Sequence, residues 1–200
     1  MILFESPKPL VWGDLDLPLF GLGADWFGDR FQPAVGFALA KDAERLWFLA
    51  SHTSPALLHP QARPGKFQPE LWKYDVAELF LADPKSGRYL ELNLSPNGAW
   101  WSCEFTAPRV RDTARNEPMP DVQTYYELAP SGGWVAAMSI ALDVLEARID
   151  FGPETKGNVT FILNSPAQRF LTANKLVDGE PDYHLPQHFP TLQSKPIPDF

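Results

Sequence analysis

The sequence predicts an all-β chain, and three features carry that expectation. Twenty-one prolines and thirteen glycines in 200 residues interrupt the chain too often for long helices, because proline lacks a backbone donor and clashes with the preceding turn. Aromatic residues make up 13% of the chain, and such side chains fit the pleated, half-buried surface of a strand. Between the punctuation lie short alternating runs whose spacing suits a sandwich of two sheets.

The elements follow in order. "AVGFALA", the polar "KDAE" and "RLWFLASHT" form a hairpin over residues 34–53, and the proline-rich "HPQARPGKFQPE" after it is a loop. "YDVAELFLA" and "RYLELNLS" pair around "DPKSG", and "AWWSCEF" extends this meander after the "SPNG" turn. A polar loop over 107–121 precedes the strands "VQTYYELA" and "GWVAAMSIAL", joined by "PSGG". Only "LDVLEARI" reads as a short helix; "GNVTFILNS" is a further strand, and the last thirty residues, rich in Pro, His and Phe, read as ordered wrapping. No internal repeat or low-complexity linker divides the chain, so residues 1–200 are expected to form a single domain.

Charge and cysteine content exclude several function classes. Seventeen basic residues against twenty-five acidic ones give a formal charge of −8, which repels a phosphate backbone and leaves no basic stripe for nucleic acid. The opening "MILFESPKPLVWGDLD" has neither a basic nor a long apolar leader region, and no segment approaches the roughly 18 apolar residues of a membrane span. A cytoplasmic location is the expectation. A single cysteine, Cys103, forms no internal disulfide or cysteine metal cluster. CxxCH, HExxH, Walker and GxSxG motifs are all absent, so the common signatures of redox, zinc, nucleotide and serine-hydrolase chemistry are missing.

Strand parity sorts the central meander into two faces, since successive side chains point to opposite sides. Ala77, Leu79 and Leu81 share one face with Leu90, Leu92 and Leu94; Val76, Glu78 and Phe80 share the other with Tyr89, Glu91 and Asn93. The leucine face is expected in the core and the other towards solvent. On the next strand Trp101, Cys103 and Phe105 are expected inward, and Trp100, Ser102 and Glu104 outward beside the carboxylates. Acids, an amide and aromatic rings on one face suit a sugar, whose hydroxyls need paired acceptors and donors and whose C–H faces stack on indole. An antiparallel sheet with one ordinary solvated face shows the same pattern. Glu78 and Glu91 are also the candidates for a glycosidase pair, although such chemistry needs a defined carboxyl separation.

The runs "LWKYDVAELFL" and "YLELNLSPNGAWW", with "KGNVTFILN" and "PDYHLPQHFPTL" near the end, resemble family 9 carbohydrate-binding modules and the related DOMON-like domains over about residues 10–195. The resemblance implies a two-sheet antiparallel β-sandwich of jelly-roll or immunoglobulin-like type with a non-catalytic ligand site. In the sugar-binding members two tryptophans clamp a terminal sugar, neighbouring polar residues bond its hydroxyls, and calcium ions brace loops. Trp72 matches the first clamp tryptophan and Glu78 the acid six residues beyond it; Glu91 and Asn93 match the following strand. The second clamp tryptophan has no counterpart in "RFLTANKLVDGEPDYH", where Phe170, Tyr183 or, from elsewhere, Trp100 stands as substitute. Asp14, Asp16, Asp25 and Asp29 are the candidate calcium oxygens, equally read as turn and solvent residues. Haem, held in other relatives by a methionine and a histidine, is disfavoured: Met119 and Met138 match no axial position, and His52, His59, His184 and His188 read as structural. The expected ligand-binding residues are therefore Trp72, Glu78, Glu91, Asn93 and Trp100, for a carbohydrate or similar small polar ligand, with a protein-interaction or scaffold role as the alternative.

Overall fold

The computed structural model describes residues 1–198 apart from 116, 165 and 166. In chain order its strands are β1 (Ile2–Glu5), β2 (Phe20–Ala24), β3 (Arg30–Lys41), β4 (Arg45–His52), β5 (Val76–Ala82), β6 (Tyr89–Leu94) and β7 (Trp100–Ala107). These are followed by β8 (Val110–Arg111), β9 (Val122–Leu128), β10 (Trp134–Ala141), β11 (Lys156–Leu163), β12 (Arg169–Thr172) and β13 (Gln193–Pro196). The one α-helix among the described residues, α1 (Leu142–Glu146), is shorter than the "LDVLEARI" run that predicts it. Ser165, the end of the expected "GNVTFILNS" strand, lies outside the described residues. No helix among the described residues is long and apolar enough to cross a membrane.

One sheet runs β13-β1-β3-β4-β10-β9 with β2 on β3, and the other runs β12-β11-β5-β6-β7-β8. Every pairing is antiparallel except those of β1, which lies parallel to both β13 and β3. The all-β sandwich is thus as expected, with one mixed edge. The outer face of the first sheet is also covered. Leu10, Trp12, Leu15 and Leu17 pack on Trp47 and Leu49, and Tyr125 stacks between the rings of Trp12 and Trp47.

Between the sheets, Leu79, Leu81, Leu90, Leu92 and Leu94 meet Leu39, Phe48 and Met138 in one apolar cluster. All five leucines are at most 1% exposed, each contributing on the order of 1.5–3 kcal/mol by leaving water. The turn at 83–88 sets their pairing. Asp83 accepts the Lys85 and Ser86 N–H groups on Oδ1, Gly87 takes φ 73°, and Leu81 falls opposite Leu90 and Leu79 opposite Leu92.

The next turn overturns the expected orientation of the tryptophans. Gly98 N–H donates to the Ser95 carbonyl at 2.9 Å and Ser95 N–H to the Ala99 carbonyl at 2.8 Å, with Gly98 at φ 78°. This is a three-residue loop closed by a left-handed glycine. It sets Leu94 opposite Trp100 and Asn93 opposite Trp101. Trp100 therefore enters the core between the sheets, edge-on to Phe67 at 5.2 Å, while Trp101 joins the acidic face. Ser102 and Glu104 accompany Trp100, and both are satisfied there. Ser102 Oγ accepts the Met119 N–H, and Glu104 is paired with Arg88, Arg115 and Arg148.

The acidic face is not solvated either. Glu78, Glu91 and Asn93 are 2%, 5% and 0% exposed, because Leu71, Trp26 and the C-terminal residues Leu176, Tyr183 and Phe189 build a second apolar cluster over that face. The expectation that the closing segment wraps the domain is met by this cover and by the pairing of β13.

Removing the Trp100 ring should leave a cavity between the sheets. Trp100→Ala is expected to lower stability by roughly 3–5 kcal/mol in urea denaturation; an unchanged midpoint would place the ring outside the core.

Candidate functional site

A cavity of about 350 Å³ opens over the second sheet, on the face away from the leucines. Its position follows from register. Thr160 pairs with Glu78, and Glu78 with Asn93; Glu91 pairs with Cys103, and Phe105 with Arg111. All these residues share one side of the sheet, so each strand supplies part of one surface.

Indoles form one wall. Trp72 sits in a short 3-10 helix, Leu71–Lys73, that ends just before β5. Its ring meets Trp101 edge-on, with centroids 5.1 Å apart and planes at 64°. Ile162 and Phe170 line the far side, and Pro181, Tyr183 and His184 the rim. Trp72 and Trp101 thus make the aromatic pair for which the family resemblance nominates Trp72 and strand parity Trp100. Trp100 lies on the opposite face of the sheet. The "SPNG" turn carries the signal that finds Trp101, because a three-residue loop keeps like parity on like faces. Arg109 and Arg111, which also line the cavity, have no sequence signal of their own; the turn at Arg109 and the short strand β8 after it deliver them.

The cavity floor is acidic and unpaired by cations. Glu78 Oε2 accepts from Thr160 Oγ1 at 2.8 Å, and Glu91 Oε1 accepts from Asn93 Nδ2 at 3.1 Å. Among the described residues neither carboxyl has an Arg or Lys partner, whereas the equally buried Glu104 has three. Burial pushes the Glu78 carboxyl up, helped by the nearby Glu91 charge. Glu91 is likewise raised by burial, with Asn93, Arg111 and Arg109 opposing. The Oδ1 of Asn93 is buried without a hydrogen-bond partner in the protein. Such floors hold acceptors, and protonated donors, that a polar ligand can use.

His184 completes the rim. The Arg109 N–H donates to Tyr89 Oη at 3.0 Å, and that oxygen lies 2.8 Å from His184 Nδ1. We assign the hydroxyl proton to Nδ1, which leaves the proton of the neutral ring on Nε2, 3.8 Å from Glu91 Oε2. Burial and then Arg109 hold the imidazole pKa down to about 4, so it is neutral at physiological pH.

Among the described residues, no metal or haem ligand set stands at this cavity. Asp25 spends its carboxylate on Arg169 at 2.6 Å and on the N–H groups of Phe27 and Asp29. Among the described residues no three His, Cys, Asp or Glu side chains are grouped to hold a metal ion. Met119 and Met138 lie between the sheets, on the other side of β5 and β6 from His184, so they form no axial pair with it.

No protein-family model matches the chain, and no curated protein resembles it in sequence. Its fold does match solved structures. A Caldicellulosiruptor kristjanssonii carbohydrate-binding module of family 9, in complex with glucose, superposes with a TM-score of 0.63 at 16% identity, over 100% of this chain and 97% of that one. The same organism's family 9 module with cellotriose gives 0.61 at 16% identity over 99% and 95%. A Bacteroides uniformis protein provisionally described as carbohydrate-binding gives 0.64 at 18% identity over 90% and 87%. The chain shares the sandwich fold of these proteins.

The raised carboxyls carry a pH signature. A group whose folded pKa exceeds its unfolded one holds its proton longer when folded, so its effect turns unfavourable as pH rises from the ordinary value of 4.5 for Glu78 through the raised one. Glu78→Gln should therefore raise Tm at pH 8 more than at pH 5, by a few degrees, since roughly 1 kcal/mol moves a domain of this size by about 2–4 °C. An equal change at both pH values would mean that Glu78 is ionised throughout. His184 acts from the other side, its contribution being lost as pH falls from 6.5 towards about 4.

Proposed function

We propose that the chain is a non-catalytic carbohydrate-binding module whose ligand enters the cavity over β5, β6 and β7. One observation carries this reading: two crossed indoles stand beside two buried carboxyls with no Arg or Lys partner among the described residues and an amide whose Oδ1 is buried without a hydrogen bond. A sugar ring meets both demands. Its C–H face stacks on indole, and its hydroxyls donate to carboxylates or accept from protonated ones. The cavity volume falls near the lower end of the roughly 300–1,000 Å³ typical of small-ligand sites, which favours one or two rings over a length of polymer. The family 9 modules of the same fold, solved with glucose and with cellotriose, support the choice of ligand class.

Binding asks of Glu78 and Glu91 only contacts to hydroxyls, whereas hydrolysis would also need an acid presented to the glycosidic oxygen and a second carboxyl at a set separation. Aryl glycosides are expected to survive incubation with the protein, and turnover that Glu78→Gln abolishes in folded protein would make it an enzyme.

The binding test is calorimetric titration with neutral and acidic mono- and oligosaccharides. Stacking on an accessible indole is worth on the order of 1 kcal/mol beyond area burial, so Trp72→Ala should weaken a bound sugar by roughly tenfold or more. Silence across the panel, or wild-type affinity in Trp72→Ala, would remove the proposal.

A further inference from the structure

The two arginines of the cavity are differently committed. Arg109 Nη2 donates to Asp182 Oδ1 at 2.9 Å, and this ion pair neutralises it. Arg111, opposite Phe105 on β8, holds its guanidinium carbon 5.3 Å from the Trp101 ring centroid and 6.0 Å from that of Trp72. Among the described residues it has neither an ion pair nor a hydrogen bond. Elsewhere in the molecule Arg45, Arg88, Arg148 and Arg169 each hold a carboxylate. Arg111 is therefore a planar, five-donor cation parked on the two indoles that form the sugar platform, with its donors unspent.

Resting on the carbohydrate reading of this cavity, we propose that the ligand is an acidic sugar, a uronic acid, whose carboxylate is taken by Arg111 while its ring lies against Trp72 and Trp101. A guanidinium forks onto a carboxylate with two parallel N–H···O bonds, which a neutral hydroxymethyl group cannot accept in the same geometry. The chain's charge of −8 does not oppose this. Charges beyond a Debye length of about 8–10 Å are screened, and at the rim Arg111 is a cation without an ion pair among the described residues. The floor is compatible with the choice, because burial raises both carboxyls, and a carboxyl that keeps its proton donates to a hydroxyl without repelling an anion.

The test compares isosteres. D-glucuronate and D-glucuronamide, with the corresponding galacto pair, are titrated into wild type and Arg111→Gln at low and high salt, thermal melts confirming that the variant is folded. The acid is expected to bind wild type roughly tenfold or more tighter than its amide, as a charge-assisted pair against a neutral one, with the preference shrinking in salt and vanishing in Arg111→Gln. Oligogalacturonides binding more tightly than the monomer would assign the uronate to a chain end; equal binding would assign a free single ring. Amide and acid binding alike to wild type would overturn the acidic-sugar inference and leave the carbohydrate reading standing. A preference that survives in Arg111→Gln would overturn the role given to Arg111. Failure of every sugar, acid or neutral, would take both readings down together. Should Arg111→Gln not fold, the acid-to-amide ratio of wild type and its salt dependence decide the matter.

Discussion

The register across β5, β6 and β7 decides which side chains each layer of the molecule receives. Sliding β6 by one residue would bring Leu90, Leu92 and Leu94 into the cavity and place Glu91 and Asn93 between the sheets, where nothing meets a carboxyl or an amide. Two turns hold this register. Asp83 and Gly87 close the first, and the left-handed Gly98 closes the second. A β-carbon at Gly98 would lie 3.2 Å from the Tyr126 ring, so space and backbone angle both favour glycine there. Because every strand of the second sheet adds to both surfaces, the same hydrogen bonds that align the leucines also bring Trp101, Glu91 and Glu78 to one cavity.

That sheet is covered on both faces, and the cover on the second is bought with electrostatic cost. Glu104 shows how the fold handles a buried acid when stability is the only demand, by surrounding it with Arg88, Arg115 and Arg148. Glu78 and Glu91 receive a hydroxyl and an amide instead. Replacing an ion pair by such weaker partners lowers stability, as is usual where groups are held ready for a ligand.

Much of the strand order was legible in the sequence, and so was the leucine face, since β-strand parity is local and the "DPKSG" turn preserves it. The orientation of Trp100 and Trp101 was also written locally, in "SPNG", but assigning inwardness by hydrophobicity hid it. Ser102 and Glu104 look like solvent residues until Met119 and three arginines are brought to them from distant segments. Burial of Glu78, Glu91 and Asn93 was not legible, because it depends on residues 176–189, about a hundred positions away. The short strands β1 and β13 likewise owe their pairing to partners remote in sequence; β2 and β12 pair with their chain neighbours β3 and β11, but periodicity over four or five residues carries little information.

The closing segment has two attachments, one through Tyr183 and Phe189 on the cavity side of the second sheet, the other through β13 beside β1 in the first. A strand that begins at residue 2 thus has one parallel neighbour in β3 and finds the other only at residue 193, and the rim residues of the cavity come from the same late stretch. During synthesis on the ribosome the hairpins can assemble as they emerge, yet the cavity has no rim until that stretch is released. Completion of the cavity thereby follows synthesis of every strand from β1 to β12.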